Sequence, residues 1–301
     1  MPQPEWPLLV VALGGNALNP PAADQGYAAE RSAATAAARH LATPARRGWR
    51  LLVVHGNGPQ VGRLMTAGED PDNLDIHVAQ TQGELGYLLA EALQAQSGDA
   101  TVALVTRALV DPDDPAFGTP TKPIGPLLKV RPEGGSSVQL AGGWRRTVAS
   151  PRPQAVVEEH AIATLLREHH VIAGGGGGIA LVRMPVDLYR RAGGLPGVID
   201  KDWVAAHLAI TLKAQALVFA TDVAGVEDGH GTPQAKLLER LTATQAQRML
   251  SAGMLGAGSM APKVDSALAY ARATGRPARI LHVDRLAQAM DAAAPGTLIE
   301  D

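Results

Sequence analysis

The sequence contains no cysteine. Disulfides, thiolate metal sites and a cysteine nucleophile are thereby excluded, and the absence is compatible with the cytoplasm. Aromatic residues make up only 3% of the chain, so any base pocket is expected to be aliphatic rather than a stack of rings. No apolar run approaches the ~18 residues that a membrane helix needs. The opening Met-Pro-Gln-Pro-Glu-Trp-Pro lacks a basic region followed by an apolar stretch, so no secretory signal is expected and the expected location is cytoplasmic. There is no excess of basic charge: the formal net charge is −2 and Arg and Lys are dispersed among acids, so no nucleic-acid stripe offers itself. The histidines are scattered without a His-Glu-x-x-His pattern, which argues against zinc. Neither a P-loop nor a Gly-x-Gly-x-x-Gly dinucleotide fingerprint is present in convincing form.

What remains is a chain of 301 residues, 46% hydrophobic and 19% charged, enough for one large α/β domain or two fused lobes. Short apolar runs alternate with longer helical patterns. The runs are Leu8–Leu13, Leu51–His55, Thr101–Thr106, Val171–Ala173, Leu217–Thr221 and Arg279–Val283. Their near-continuous apolarity suits strands buried on both faces. Ala-rich segments such as Tyr27–Thr43 and Ile76–Gln96 read as helices between them. This alternation predicts a three-layer α/β/α sandwich with an open, mainly parallel sheet. One stretch breaks the pattern. Asp111 to Pro153 is rich in Pro and Gly and has no long helix, and it is expected to form a small protruding β-rich arm, about 118–153, over the site. A boundary between two lobes, 1–200 and 201–301, is expected near Val198–Asp200, without a flexible linker.

Ligands of such sheets sit beyond the carboxyl ends of the strands, and glycine and polar residues gather there. The strand ends are followed by Gly14-Gly15-Asn16, by His55-Gly56-Asn57-Gly58-Pro59, by the five glycines Gly174 to Gly178, and by Asp222-Val223-Ala224-Gly225 after Thr221. Glycine lets backbone N–H groups approach an anion closely. Pro59 suits the first position of a helix whose N-terminus faces a phosphate. Any one of these is an ordinary tight turn, but four on one sheet edge point to anion binding.

Three lysines stand out against this background. In Asp200-Lys201-Asp202, Asp200 is placed to cap a helix whose apolar face is Val204, Ala205, Leu208, Ala209 and Leu212. Lys201 in that first turn gains nothing from the helix dipole, and facing an anion is its better use. Asp202 is then able to orient it or neighbouring lysines. Ser259-Met260-Ala261-Pro262-Lys263, after Gly256 and Gly258, repeats the design, with Ser259 as the expected cap. Lys122 lies between prolines in Pro120-Thr121-Lys122-Pro123, a firm support for a cationic clamp from the arm. Lysines, backbone amides and an organising carboxylate are what phosphoryl transfer requires. An acceptor that is already an anionic oxygen needs no protein base, so the lack of a Ser-His-Asp set is no obstacle.

With these residues in place the chain resembles the carbamate kinases of the amino acid kinase family. The matching stretches are Ala12–Leu18, His55–Gly62, Gln80–Tyr87, Pro120–Pro126, Gly175–Ile179, Gly197–Asp202 and Gly258–Lys263, which follow the family's order and cover nearly the whole chain. The resemblance implies a homodimer that passes a phosphoryl group between ATP and carbamate. It implies Lys122, Lys201 and Lys263 as catalytic cations, with Asp202 organising them. Gly14, Gly15, Asn16, His55, Gly56, Asn57, Gly58, Gly175 and Gly176 would hold the acyl phosphate. Thr221, Asp222, Val223, Gly225, Met260, Pro262 and Lys263 would line the nucleotide pocket. Magnesium would arrive with ATP or ADP and keep most of its waters, with no metal ligand from the protein. Two departures stand out: Arg107 where the family usually has glutamine, and a Gly- and Ser-rich arm between Val130 and Arg145. A kinase acting on an amino-acid carboxylate, such as acetylglutamate, is an alternative that the Pro-Thr-Lys-Pro segment disfavours. A non-catalytic nucleotide or carbamoyl-phosphate sensor is another, disfavoured by the converging lysines.

Overall fold

Apolar runs without polar interruption leave neither face of a strand for water, and here they form the centre of one sheet. The computed structural model describes residues 6–18, 26–66, 73–140, 142–183, 189–191, 197–255, 259–291 and 293–301. Gly256 and Gly258 lie outside them. The chain begins with β1 (Leu8–Leu13), α1 (Tyr27–Arg46), β2 (Arg50–His55), α2 (Gly58–Thr66), α3 (Leu74–Ser97), β3 (Thr101–Ala103) and β4 (Arg107–Val110). It continues through β5 (Lys122–Leu128), β6 (Ser136–Leu140), β7 (Gly143–Val148), β8 (Pro153–Val156), α4 (Glu159–Leu165), β9 (His170–Ile172), β10 (Ile179–Arg183) and β11 (Tyr189–Arg191). The remainder is α5 (Lys201–Thr211), β12 (Ala216–Thr221), β13 (Glu227–Asp228), β14 (Lys236–Leu237), β15 (Arg240–Thr242), α6 (Ala243–Ser251), α7 (Met260–Thr274), β16 (Ala278–His282) and β17 (Thr297–Glu300).

The main sheet has eight strands in the order β15-β17-β16-β12-β1-β2-β9-β3. Neighbours are parallel except β16 and β17. Its period-two side chains divide the core. Leu9, Val11 and Leu13 of β1 join α1 and α3 on one face. Leu8, Val10 and Ala12 join α5 and α7 on the other. These are the three layers the sequence pattern predicts. No helix among the described residues is long and apolar enough to cross a membrane.

Two details differ from the pattern. Thr101–Thr106 is not one strand: β3 stops at Ala103, and β4 starts a second sheet in the order β11-β10-β4-β8. The break has a cause at Thr106. Its N–H donates to Gln82 Oε1 at 2.8 Å, and its carbonyl accepts from Gln82 Nε2 at 3.1 Å. A side chain of α3 thus takes the Thr106 N–H between the two sheets, while the Thr106 carbonyl also accepts from Ile179 N at 2.9 Å at the start of β10. In addition, α1 runs past Pro44 to Arg46, beyond the expected end at Thr43. The Pro- and Gly-rich stretch forms the expected arm, a three-stranded sheet in the order β5-β7-β6.

Two residues beyond the end of α5 stands Lys213, whose φ of 55° makes it the one non-glycine with positive φ among the described residues. The left-handed region costs a residue with a Cβ about 1–2 kcal/mol. Glycine there returns roughly 0.5–1 kcal/mol of that in unfolded-chain entropy. Lys213→Gly is therefore expected to stabilise the fold by roughly 0.5–1 kcal/mol in a denaturant titration.

Arg63 of α2 joins α1 to α3, donating to Glu30 Oε1 at 2.6 Å and to Glu84 Oε1 at 3.2 Å. Burial, with the neighbouring Glu30 carboxylate, pushes Glu84 up from 4.5 to about 7 against the opposing charge of Arg63. Between these two values the folded chain holds a proton that the unfolded chain releases. Glu84's contribution to stability therefore falls as pH rises from 4.5 to 7 and is lost above 7. Glu84→Gln keeps the neutral form at every pH. It should flatten the fall of Tm between about pH 5 and 8 and raise Tm at pH 8, by about 2 °C for each kcal/mol recovered.

Candidate active site

The carboxyl edge of the main sheet is built from turns too close for side chains. β1 runs into a 3-10 turn, Gly15–Leu18, which carries Asn16. β2 runs into Gly56, whose N–H donates to Leu13 O at 3.0 Å. A Cβ on Gly56 would lie 2.8 Å from both N and Cα of Gly15. The two turns therefore touch backbone to backbone, which only glycine permits. The next residues start α2 at Gly58, with Pro59 at the second helical position rather than the first.

A third turn, Gly175–Gly177, closes over these two. Gly176 has φ of 61°, and a Cβ there would overlap the Asn57 amide at 2.2 Å. Asn57 in turn donates from Nδ2 to Thr81 Oγ1 at 2.9 Å, and Thr81 donates to His77 O at 2.8 Å. Thr106 Oγ1 accepts the Gly174 N–H at 2.9 Å. Thr81 and Gln82 of α3 thus brace two of the turns, one through Asn57 and one through Thr106. The residue pattern assigned them no role, since a polar pair inside a helix gives no sign of what it reaches. His55 is buried beside Gly175. Burial, aided by the charge of Lys201, lowers its pKa to about 4, against a hydrogen bond to Gly56 O at 3.0 Å. The ring is neutral at ordinary pH, and its Nδ1–H faces a carbonyl that can only accept.

Beside the turns lies the charged cluster. Asp200 caps α5, its Oδ1 accepting from Asp202 N at 3.0 Å, as the sequence predicts. Asp202 accepts from Lys201 Nζ on Oδ1 at 2.9 Å and from Lys263 Nζ on Oδ2 at 3.1 Å. The side chains of Asp202 and Lys263 are each only 1% exposed. Lys122 of the arm donates to Asp200 Oδ2. Asp200 is therefore a cluster member as well as a cap, a second role that its place before Lys201 concealed.

Electrostatics sort the members. Burial alone would raise the Asp200 carboxyl. The charges of Lys122 and Lys201, with the Lys122 and Asp202 N–H hydrogen bonds, instead hold it well below the usual carboxylate range. Burial works against the Lys201 ammonium, but Asp202 and Asp200 outweigh it and raise its pKa. For Lys263, burial and the neighbouring Lys201 win over Asp202, and its pKa falls. Three ammoniums against two carboxylates leave one positive charge, set against turns whose N–H groups favour anions.

Ser259 precedes α7 but makes no side-chain cap; its carbonyl accepts from Lys263 Nζ at 3.3 Å instead. Met260 and Pro262 open α7 beside Lys263, both half-buried. Thr221 ends β12, buried, and donates to Asp222 Oδ1 at 3.1 Å. Val223 is half-buried beyond it. Gly225 has a packing reason of its own: a Cβ there would meet Thr297 Oγ1 at 2.6 Å, the atom that accepts the Val226 N–H. Arg107 turns to Glu158, with Nε to Oε1 at 2.6 Å and its N–H to Oε2 at 2.7 Å. Among the described residues no group of three His, Asp or Glu is placed to hold a metal ion.

Comparison with known proteins converges on one family. The sequence profile of the amino acid kinase family matches residues 7–282. A carbamate kinase of Escherichia coli is 39% identical over 311 residues, covering 97% of this chain and 98% of that protein. One from Halobacterium salinarum is 36% identical, covering 96% and 97%. The carbamate kinase of Giardia lamblia, solved bound to AMP-PNP, superposes with a TM-score of 0.84 at 32% identity, covering 99% of each chain. An N-acetylglutamate synthase from Neisseria gonorrhoeae shares the fold alone, with a TM-score of 0.58 at 18% identity. On full-length identity and a shared fold together, the chain belongs to the amino acid kinase family, within its carbamate kinase branch.

Proposed function

We propose that the cluster on Asp202 transfers a phosphoryl group between carbamoyl phosphate and ADP, giving carbamate and ATP, and the reverse. The observation that carries this reading is one buried carboxylate holding two ammoniums, with a third ammonium beside it on Asp200. The bond between phosphorus and the carbamate oxygen breaks, leaving its electron pair on that oxygen. A terminal oxygen of the ADP β-phosphate forms the new bond. No proton has to move, so no general base is required. Charge spread over three oxygens in the transition state is what Lys122, Lys201 and Lys263 are suited to stabilise.

In this reading the lobe 1–200 holds the acyl phosphate, through the turns at Gly14, Gly15, Asn16, His55, Gly56, Asn57, Gly58, Gly175 and Gly176. The segment 201–301 holds the nucleotide, along Thr221, Asp222, Val223, Gly225, Met260 and Pro262. Magnesium would come as part of the nucleotide substrate and would offset the charge of its phosphates. ADP and magnesium make the cytoplasm the compartment this reading implies. The chain is read as a homodimer, and sedimentation equilibrium should give twice the chain mass; a monomer at micromolar concentration overturns that part.

The first test is ATP formation from ADP, magnesium and carbamoyl phosphate. Lys122 gives the clearest variant, because its side chain is 33% exposed and its loss leaves the Asp200 carboxylate still facing the charge of Lys201 and the Asp202 N–H. Lys122→Ala is expected to lower kcat by about 100-fold or more, with a smaller loss of Tm than Lys263→Ala because Lys201 still faces Asp200. Lys263→Ala should lose activity and stability together, since breaking a buried pair costs about 3–5 kcal/mol. A folded parent that binds ADP but makes no ATP rejects the reading, and a screen of amino-acid carboxylates then follows.

A further inference from the structure

Arg152 stands outside the cluster, yet it touches both helices that supply it. Pro151 and Pro153 flank it between β7 and β8 and stiffen its backbone. Its N–H donates to Asp114 Oδ2 at 2.9 Å, while Asp114 Oδ1 accepts from Ala116 N at 2.8 Å. The guanidinium lies over the Trp203 ring at 3.6 Å and donates from Nη2 to Asp265 Oδ2 at 2.7 Å. Trp203 follows Asp202 on α5, and Asp265 is two residues beyond Lys263 on α7. On the arm side, β7 ends at Val148, which pairs with Lys122, and Ala149 bridges to Gly197 just before the Asp200 cap.

We propose that Arg152 is a positioning residue that fixes the arm, and with it Lys122, against the two helices bearing Lys201, Asp202 and Lys263. A guanidinium suits this place because it can stack on the indole face while its N–H groups, directed along its own plane, bond the carboxylate. Its side chain is 62% exposed, and exposed ion pairs hold little folding energy, so a role in global stability is a poor explanation. A displacement of the arm lysine by about 1 Å, in contrast, is enough to cost turnover heavily. The proposal rests on the reading that this cluster performs phosphoryl transfer.

Arg152→Ala should lower kcat for ATP formation about tenfold, leave KM for ADP and for carbamoyl phosphate within about twofold, and move Tm by no more than about 2 °C. Asp265→Asn should do the same, and the double variant should be no slower than Arg152→Ala alone. Arg152→Lys, which keeps the ion pair and loses the planar stack, should recover part of the rate. Arg240→Ala, which removes an exposed pair with Glu300 on an outer strand of the main sheet, is the control and should leave kcat unchanged. The proposal is overturned by an unaltered kcat in Arg152→Ala, by a loss that tracks Tm, or by single losses that multiply in the double variant. If the parent makes no ATP, the functional reading fails, and amide hydrogen exchange judges the clasp alone. Faster exchange in β5 and the first turn of α5 of Arg152→Ala supports it, and unchanged exchange overturns it.

Discussion

A carboxylate with almost no access to water cannot stay charged alone, and Asp202 resolves this by holding an ammonium on each oxygen. The rest of the site follows from that arrangement. Lys201 comes from the same helix turn and Lys263 from the start of α7, so α5 and α7 must meet at their N-terminal ends. Their apolar faces arrange this by sharing one side of the sheet, where Val204, Leu208, Val264, Ala267 and Leu268 are all buried. The charges lie where the packing of two ordinary amphipathic helices puts them. Asp200 repeats the device at the cluster's rim, with an ammonium from the arm.

The sheet makes the opposite contribution, supplying backbone instead of charge. Parallel strands bring their carboxyl ends to one edge, and three of the turns there are fastened by their neighbours. Gly56 lies against Gly15, Gly176 against Asn57, and Gly174 is held by Thr106. α3 supports this assembly from behind with Thr81 and Gln82. The break in the chain at Thr106 belongs to the same assembly, since Gln82 holds its main chain while its hydroxyl oxygen holds the Gly174 N–H.

Much of this was legible in the residues. Uninterrupted apolar runs marked β1, β2 and β12 to within a residue, because burial on both faces leaves a pattern that local sequence carries. Asp200 as a cap was legible for the same reason: its partner is two residues away. Relations between distant residues were not. Gln82 reaching Thr106, Lys122 reaching Asp200 and Arg107 turning to Glu158 each depend on how elements pack, which no spacing encodes. Ser259 shows the limit from the other side. A serine before a helix suits a cap, yet here its carbonyl serves Lys263 while its hydroxyl makes no cap.

The contact between Gly15 and Gly56 has a mechanical meaning. Two loops that touch through main-chain atoms, each following a strand of the same sheet, have no hinge between them. They form one rigid anvil, shaped before any substrate arrives. The arm, a separate three-stranded sheet, reaches the cluster through Lys122 and is held to the helices by Arg152. The molecule divides its labour between a backbone cradle that needs no adjustment and a finger whose placement depends on side chains.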